Sequence, residues 1–294
     1  MTENNPNESN YIPKGKIRIN TPPPPIQTAP QASTKYKGVK HTIMVMSGKG
    51  GVGKSTFSVN IAVTLARKYR VGLIDADING PDDPKLLGVS KEKLYTSEGG
   101  IIPIDTPYGV RVVSMAFLLP DEKTAVIWRG SLRHKAVQQF LEDTIWDDVD
   151  YGILDFPPGT GDEALTVSQL IPQTEGVVIV VTPQELALLD AKKAINFAEQ
   201  MHIKVIGIVE NMSGFACPHC GTITDIFKSG GAESLARELN IPFLGKIPIF
   251  PEIVQNGDTG IPAVTVSKEI EKIYNNIAEA MIEQIETRNK QNPS

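Results

Sequence analysis

From Val39 onward, runs of consecutive apolar, largely β-branched residues alternate with stretches whose apolar positions recur every three or four residues. The first pattern predicts strands at Thr42–Ser47, Val71–Asp75, Val110–Met115, Tyr151–Asp155, Val177–Val181, Val205–Val209 and Phe243–Ile247. The second predicts helices at Lys54–Tyr69, Leu132–Trp146, Gln184–Met201 and Ala232–Leu239. Strands that are apolar on both faces and separated by helices require cover on both sides. The expected fold class is therefore α/β, a mostly parallel sheet flanked by helices on both faces with right-handed crossovers. Ligands on such sheets bind at the carboxyl ends of the strands. A last stripe, Ile270, Ile273, Ile277, Met281 and Ile285, has helical spacing. Its polar neighbours include Glu269, Glu271, Glu279, Glu283 and Glu286, which anionic lipid would repel, so the stripe is expected to pack on the protein's own core.

Residues 1–37 lack this periodicity. Asn, Pro and Lys dominate, and Thr21 is followed by four consecutive prolines, Pro22 to Pro25. Without apolar surface to offset chain ordering, this segment reads as a disordered Pro/Asn-rich tail ahead of one α/β domain, 38–294.

The strand-to-helix junction after Thr42–Ser47 carries Gly48-Lys49-Gly50-Gly51-Val52-Gly53-Lys54-Ser55-Thr56. This is the pattern of a phosphate-binding loop. Small residues let backbone N–H groups wrap the phosphates while the following helix directs its positive end at them. Lys54 is placed to reach the β- and γ-phosphates, Ser55 to bind Mg²⁺ and Thr56 to lie by the α-phosphate. The fold expectation sharpens to a P-loop NTPase that binds ATP. Lys49 adds a second cation to a short loop, where two ammonium groups repel unless phosphate charge lies between them. The G-K-G-G-x-G-K-S-T form resembles the deviant Walker A family of MinD, ParA and nitrogenase iron-protein ATPases. That resemblance implies an ATP-dependent homodimer in which Lys49 crosses to the partner's nucleotide.

Three further strands end in chemistry. Val71–Asp75 runs through Ala76 to Asp77, and two carboxylates there need a cation or water as partner. The resemblance implies that Asp77 orients the attacking water and Asp75 supports Mg²⁺ indirectly. Tyr151–Asp155 ends in the acid of a Walker B arrangement. It leads into Phe156-Pro157-Pro158-Gly159-Thr160-Gly161-Asp162, whose prolines and glycines suit a γ-phosphate sensor. Val205–Val209 leads through Glu210 to Asn211, whose amide can donate to and accept from one adenine edge. Beyond lies Cys217-Pro218-His219-Cys220, flanked by Gly214 and Gly221, which reads as a loop. Two thiolates are half of a zinc or cluster site, and a symmetric dimer would bring two Cys217/Cys220 pairs together. Soft thiolates accept a 4Fe-4S cluster or zinc in its place. His219 reads as a spacer. A thioredoxin-like dithiol would instead put its first cysteine at a helix start.

GKGGVGKST, LIDADINGPD, DFPPGTGD, VTPQELALLDAKKA, GIVENMSGFACPHCG and IFKSGGAESLA, in this order over Val39 to Ile261, resemble the Mrp/ApbC family of iron-sulfur cluster carrier ATPases. The resemblance implies weak ATP hydrolysis, a labile 4Fe-4S cluster bridging a homodimer at Cys217 and Cys220, and exchange with a cluster scaffold and apo iron-sulfur proteins. Two features depart from the family pattern. Many relatives carry a four-cysteine N-terminal motif, whereas this extension has no cysteine and so offers no ligand for a second cluster. Ile78-Asn79-Gly80-Pro81-Asp82-Asp83 stands where relatives often have an aromatic residue and a serine.

Composition narrows the alternatives. The chain has 294 residues, a net charge of −5 and two cysteines, which argues against broad binding to nucleic acid or anionic membrane and against a disulfide framework. No apolar run approaches the ~20 residues of a membrane span and no signal-peptide pattern opens the chain, so a cytoplasmic location is expected. The competing reading is a ParA/MinD-like positioning or regulatory ATPase with a zinc-bridged dimer.

Overall fold

The computed structural model describes residues 38–77, 80–118, 137–170, 174–217, 219–220 and 222–291. The expected tail, 1–37, lies outside them. In chain order the strands are β1 (Val39–Met46), β2 (Val71–Asp75), β3 (Tyr95–Ser97), β4 (Gly100–Ile102), β5 (Ile104–Asp105), β6 (Val110–Ser114), β7 (Val149–Asp155), β8 (Gly176–Val181), β9 (Val205–Ala216), β10 (Ile223–Thr224) and β11 (Phe243–Ile249). The helices are α1 (Lys54–Ala66), α2 (Asp83–Leu86), α3 (Asp162–Leu170), α4 (Glu185–Gln200), α5 (Gly231–Glu238), α6 (Pro251–Gly257) and α7 (Lys268–Gln291). Residues 137–142 are also helical.

Nine strands form one sheet in the order β10-β9-β8-β1-β7-β2-β6-β5, with β11 also paired to β9. Within this sheet only the short β5 and β10 pair antiparallel among the described residues, and β3 and β4 form a separate two-stranded antiparallel sheet. Alternation along the central strands fills two cores. Ile43, Val45, Ile153, Val178 and Val180 pack with α1 and α7, while Met44, Met46, Leu154, Ile179 and Val181 pack with α4 and α5. The stripe on α7 docks as its spacing predicts. Ile270, Ile277, Met281 and Ile285 are buried, and Tyr274 stacks on Phe57 of α1 at 5.9 Å. No helix among the described residues is long and apolar enough to cross a membrane.

Register, more than any single contact, creates the site. Asp75 of β2 lies directly opposite Asp155 of β7, which lies opposite Val45 of β1, just before the glycine-rich turn. Two expected elements differ in extent. The Leu132–Trp146 helix has 132–136 outside the described residues, and the rest leaves the helix after 142. There the backbone turns to pair with Ile101, whose N–H donates to Asp143 O at 2.7 Å and whose carbonyl accepts from Ile145 N–H at 2.9 Å. The strand expected at Val205–Val209 continues to Ala216, because β11 and β10 supply pairing partners beyond the reach of β8.

Candidate nucleotide cleft and cysteine hairpin

The loop after β1 is held open by backbone geometry. Gly51 and Gly53 have φ of +79° and +83°, the left-handed region that glycine adopts without strain. A Cβ on Gly53 would also lie 2.3 Å from Asn211 Nδ2. Gly53→Ala therefore combines a clash with backbone strain on the order of 1–3 kcal/mol. The expected outcome is a lower melting temperature together with weakened ATP binding, read by thermal denaturation and fluorescent-nucleotide titration.

The loop and α1 border a cleft of about 290 Å³ whose walls include Gly51, Lys54, Ser55, Thr56, Asp77 and Pro158. Thus three separate motifs, the glycine-rich loop, the Asp75/Asp77 turn and the proline–glycine turn after β7, converge on one space. Gly159 N–H donates to Ser47 O at 2.9 Å and fixes the last of these against the loop.

Beneath the cleft, Lys54 is buried with its Nζ donating to Asp155 Oδ2 at 2.6 Å. Ser55 Oγ donates to the same oxygen at 2.7 Å, and Ser58 Oγ to Asp155 Oδ1 at 2.5 Å. Burial acts to lower the Lys54 pKa, but the charge and hydrogen bond of Asp155, with Asp83 and Asp75 behind it, hold it above its ordinary value. Asp75 accepts from Ser114 Oγ at 2.8 Å and from Asp77 N–H at 3.2 Å. Burial, then the charge of Asp155, pushes the Asp75 carboxyl well above the usual range, and the same two causes, in that order, push up Asp83. Carboxylate oxygens of Asp75, Asp83 and Asp155 lie within 4.8 Å of one another. Ser55 Oγ, with Asp155 and Asp75 behind it, is an all-oxygen donor set that fits Mg²⁺.

Asn211 takes a different position from a residue lining the cleft. Its Nδ2 donates to Val52 O at 2.8 Å, so the amide holds the backbone of the phosphate loop. Lys49 is half-buried and outside the cleft lining; its charge acts on Asp190 of α4, whose pKa is lowered chiefly by a hydrogen bond from Lys193.

The two cysteines sit at the tip of the β9–β10 hairpin, where Cys217 N–H donates to Thr222 O at 3.0 Å. Both are free thiols, Cys217 half-buried and Cys220 exposed. Cys220 Sγ and Thr222 Oγ1 are hydrogen-bonded at 3.2 Å. Hydrogen bonding to the Thr222 side chain and backbone, and to Cys217, holds the Cys220 pKa below its ordinary value and so favours the thiolate that binds metals. Glu210, fully buried, braces the hairpin base by accepting from Ser213 Oγ, Gly230 N–H and Ala232 N–H at 2.5, 2.8 and 2.7 Å.

Sequence reasoning therefore missed Asp83, Ser58, Ser114 and Glu210. Only Asp83 left a trace, as part of the Pro81-Asp82-Asp83 departure from the family pattern.

A parallel sheet with this loop, helix and pair of acids defines a P-loop NTPase. The model of the family described as ParA, NUBPL iron-transfer P-loop NTPase, matches residues 38–282, and the chain belongs to that family. An iron-sulfur cluster carrier protein of Methanocaldococcus jannaschii is 47% identical over 249 residues, 84% of this chain and 86% of that protein. A cytosolic Fe-S cluster assembly factor Nubp2 homolog of Aedes aegypti is 45% identical, covering 82% and 97% of the two chains. Among solved structures, a nucleotide-binding protein from Archaeoglobus fulgidus in complex with ADP is 40% identical with a TM-score of 0.70, covering 80% of this chain and 93% of that one. The cell division ATPase MinD of Pyrococcus furiosus shares the fold at 22% identity, TM-score 0.61, over 83% and 98%.

Proposed function

We propose that two copies of this chain hold a labile 4Fe-4S cluster between their Cys217/Cys220 hairpins and deliver it to apo-proteins, with slow ATP hydrolysis at the phosphate loop. The observation that carries this reading is the dual role of β9. One strand bears Asn211, bonded to the phosphate loop, and leads directly into the turn that carries the chain's two cysteines. Relatives named as iron-sulfur cluster carriers and cytosolic Fe-S assembly factors support the cargo and a cytosolic setting. Thiol arithmetic supports the dimer, since two cysteines per chain supply four ligands only across a two-fold axis.

In the proposed reaction Lys54 leaves Asp155 and places its ammonium on the β- and γ-phosphates. Asp77, on the cleft wall, positions the attacking water, and Lys49 from the partner adds positive charge where the transferring phosphoryl group develops negative charge. Mg²⁺, when bound, would be held by Ser55, with Asp155 and Asp75 behind it, and would neutralise phosphate charge. Movement of the loop pulls on Val52, and Asn211 transmits this along β9 to the hairpin and its cargo. The burial of the α7 stripe on the core leaves no free amphipathic face there for membrane positioning, which weighs against the MinD-like alternative.

Anaerobic reconstitution with iron and sulfide tests the reading. The expected product is a dimer with visible charge-transfer absorbance and about four irons and four sulfides per two chains. A colourless, zinc-only dimer would overturn it.

A further inference from the structure

Asp83 is fully buried at the start of α2, and neither of its carboxylate oxygens has a hydrogen-bond partner among the described residues. Its two acidic neighbours are served. Asp75 receives Ser114 and the Asp77 N–H, and Asp155 receives Lys54, Ser55 and Ser58. Asp83 instead directs an oxygen to within 4.8 Å of theirs. A buried carboxylate with no donor is costly unless something positive completes it.

Charge counting says what is missing. Three carboxylates face one ammonium, Lys54, which is committed to Asp155. Asp75 and Asp83, which burial favours as neutral acids when no cation is present, would on ionising supply two negative charges, the charge of one divalent cation. The donors are all oxygen and anionic, which selects a hard ion of the Mg²⁺ or Mn²⁺ kind over a soft one. The oxygens, all within 4.8 Å of one another, need only close by side-chain rotation toward the about 3–4 Å that separates adjacent and opposite ligands of a Mg²⁺ ion.

We propose that Asp75, Asp83 and Asp155 form a site for one hard divalent cation that fills before nucleotide binds, with Asp83 as its distinguishing ligand. The ion that enters with ATP is served by Ser55 and the phosphates and does not need Asp83. This inference rests on the nucleotide-cleft reading and is independent of the cysteine cargo, since Mn²⁺ is too hard for the thiolates.

The test is titration of Mn²⁺ into the nucleotide-stripped full chain, followed by the loss of the free-ion electron paramagnetic resonance signal. Wild type is expected to bind about one Mn²⁺ per chain, displaceable by Mg²⁺, and Asp83→Asn to bind it at least about tenfold more weakly. Asp83→Asn removes an unpartnered charge while keeping the side chain's shape, so its melting temperature without metal should equal or exceed that of wild type. Mn²⁺ should then raise the melting temperature of wild type and leave the variant unmoved. Mn²⁺-ATP affinity within a few-fold of wild type in Asp83→Asn would separate this ion from the one that accompanies nucleotide. Absence of nucleotide-free Mn²⁺ binding by wild type, or equal binding by Asp83→Asn, would overturn the proposal, and neither result touches the cluster-carrier reading.

Discussion

Cys217→Ala and Cys220→Ala are each expected to yield a protein that binds ATP within a few-fold of wild type yet acquires no stable visible cluster on anaerobic reconstitution. In a symmetric dimer each substitution removes two of the four thiolates, one from each chain, and a cubane held by two ligands has no protection from solvent or thiol exchange. The nucleotide is spared by distance. Asn211 holds the phosphate loop at Val52, and Cys217 follows one residue beyond the end of the same strand. At about 3.3 Å per residue the six steps from Asn211 to Cys217 span at most roughly 20 Å, and neither cysteine lines the cleft. Folding is spared because Cys220 is exposed and Cys217 only half-buried, where substitutions cost about 0.5 kcal/mol or less. Absorbance, bound iron and nucleotide affinity measured on one preparation separate the two sites. A full-strength cluster in the Cys217/Cys220 double variant would remove the hairpin from the carrier reading.

The strands that deliver the site were legible because each is a buried apolar run stopped abruptly by a charged or glycine-rich segment. β1 before Gly48, β2 before Asp75 and Asp77, and β7 ending at Asp155 all announce themselves in this way. Their adjacency was not legible. That Asp75 and Asp155 stand side by side depends on β7 lying between β1 and β2, a long-range choice that no local pattern records. Asp83 illustrates the same limit. Beside Asp82, between two prolines, it reads as a solvated turn residue, and only the packing of α2 against the sheet turns it inward beneath Asp75. The strand that carries Asn211 looked short for a related reason. Glu210, Asn211 and Ser213 interrupt its apolar pattern, yet each finds a buried partner, and the polar stretch continues as strand. The hairpin of β3 and β4 left no apolar signal, because Tyr95–Ser97 is exposed along its whole length.

Lys49→Ala and Asp77→Ala chains are expected to be inactive separately and to recover part of the ATPase activity when mixed under conditions of subunit exchange. Asp77 lines the cleft of its own chain, whereas Lys49 lies outside that lining although it belongs to the same loop as Lys54. If Lys49 serves the opposite nucleotide, every site in either homodimer lacks one requirement, the donated cation or the carboxylate that positions water. A heterodimer redistributes the defects. The site built on the Asp77→Ala chain also receives no lysine from its Lys49→Ala partner and is doubly broken. The other site keeps its own Asp77 and receives Lys49 from the Asp77→Ala chain, so it is intact. Half of the chains in a random mixture are in heterodimers, and half of the sites in those are whole, so recovery should approach about one quarter of wild-type activity per chain if the sites act independently. Two residues serving the same chain's nucleotide would leave each heterodimer site with one defect and the mixture silent. Absence of recovery, with heterodimers demonstrated by differently tagged chains, would place Lys49 in its own subunit's site.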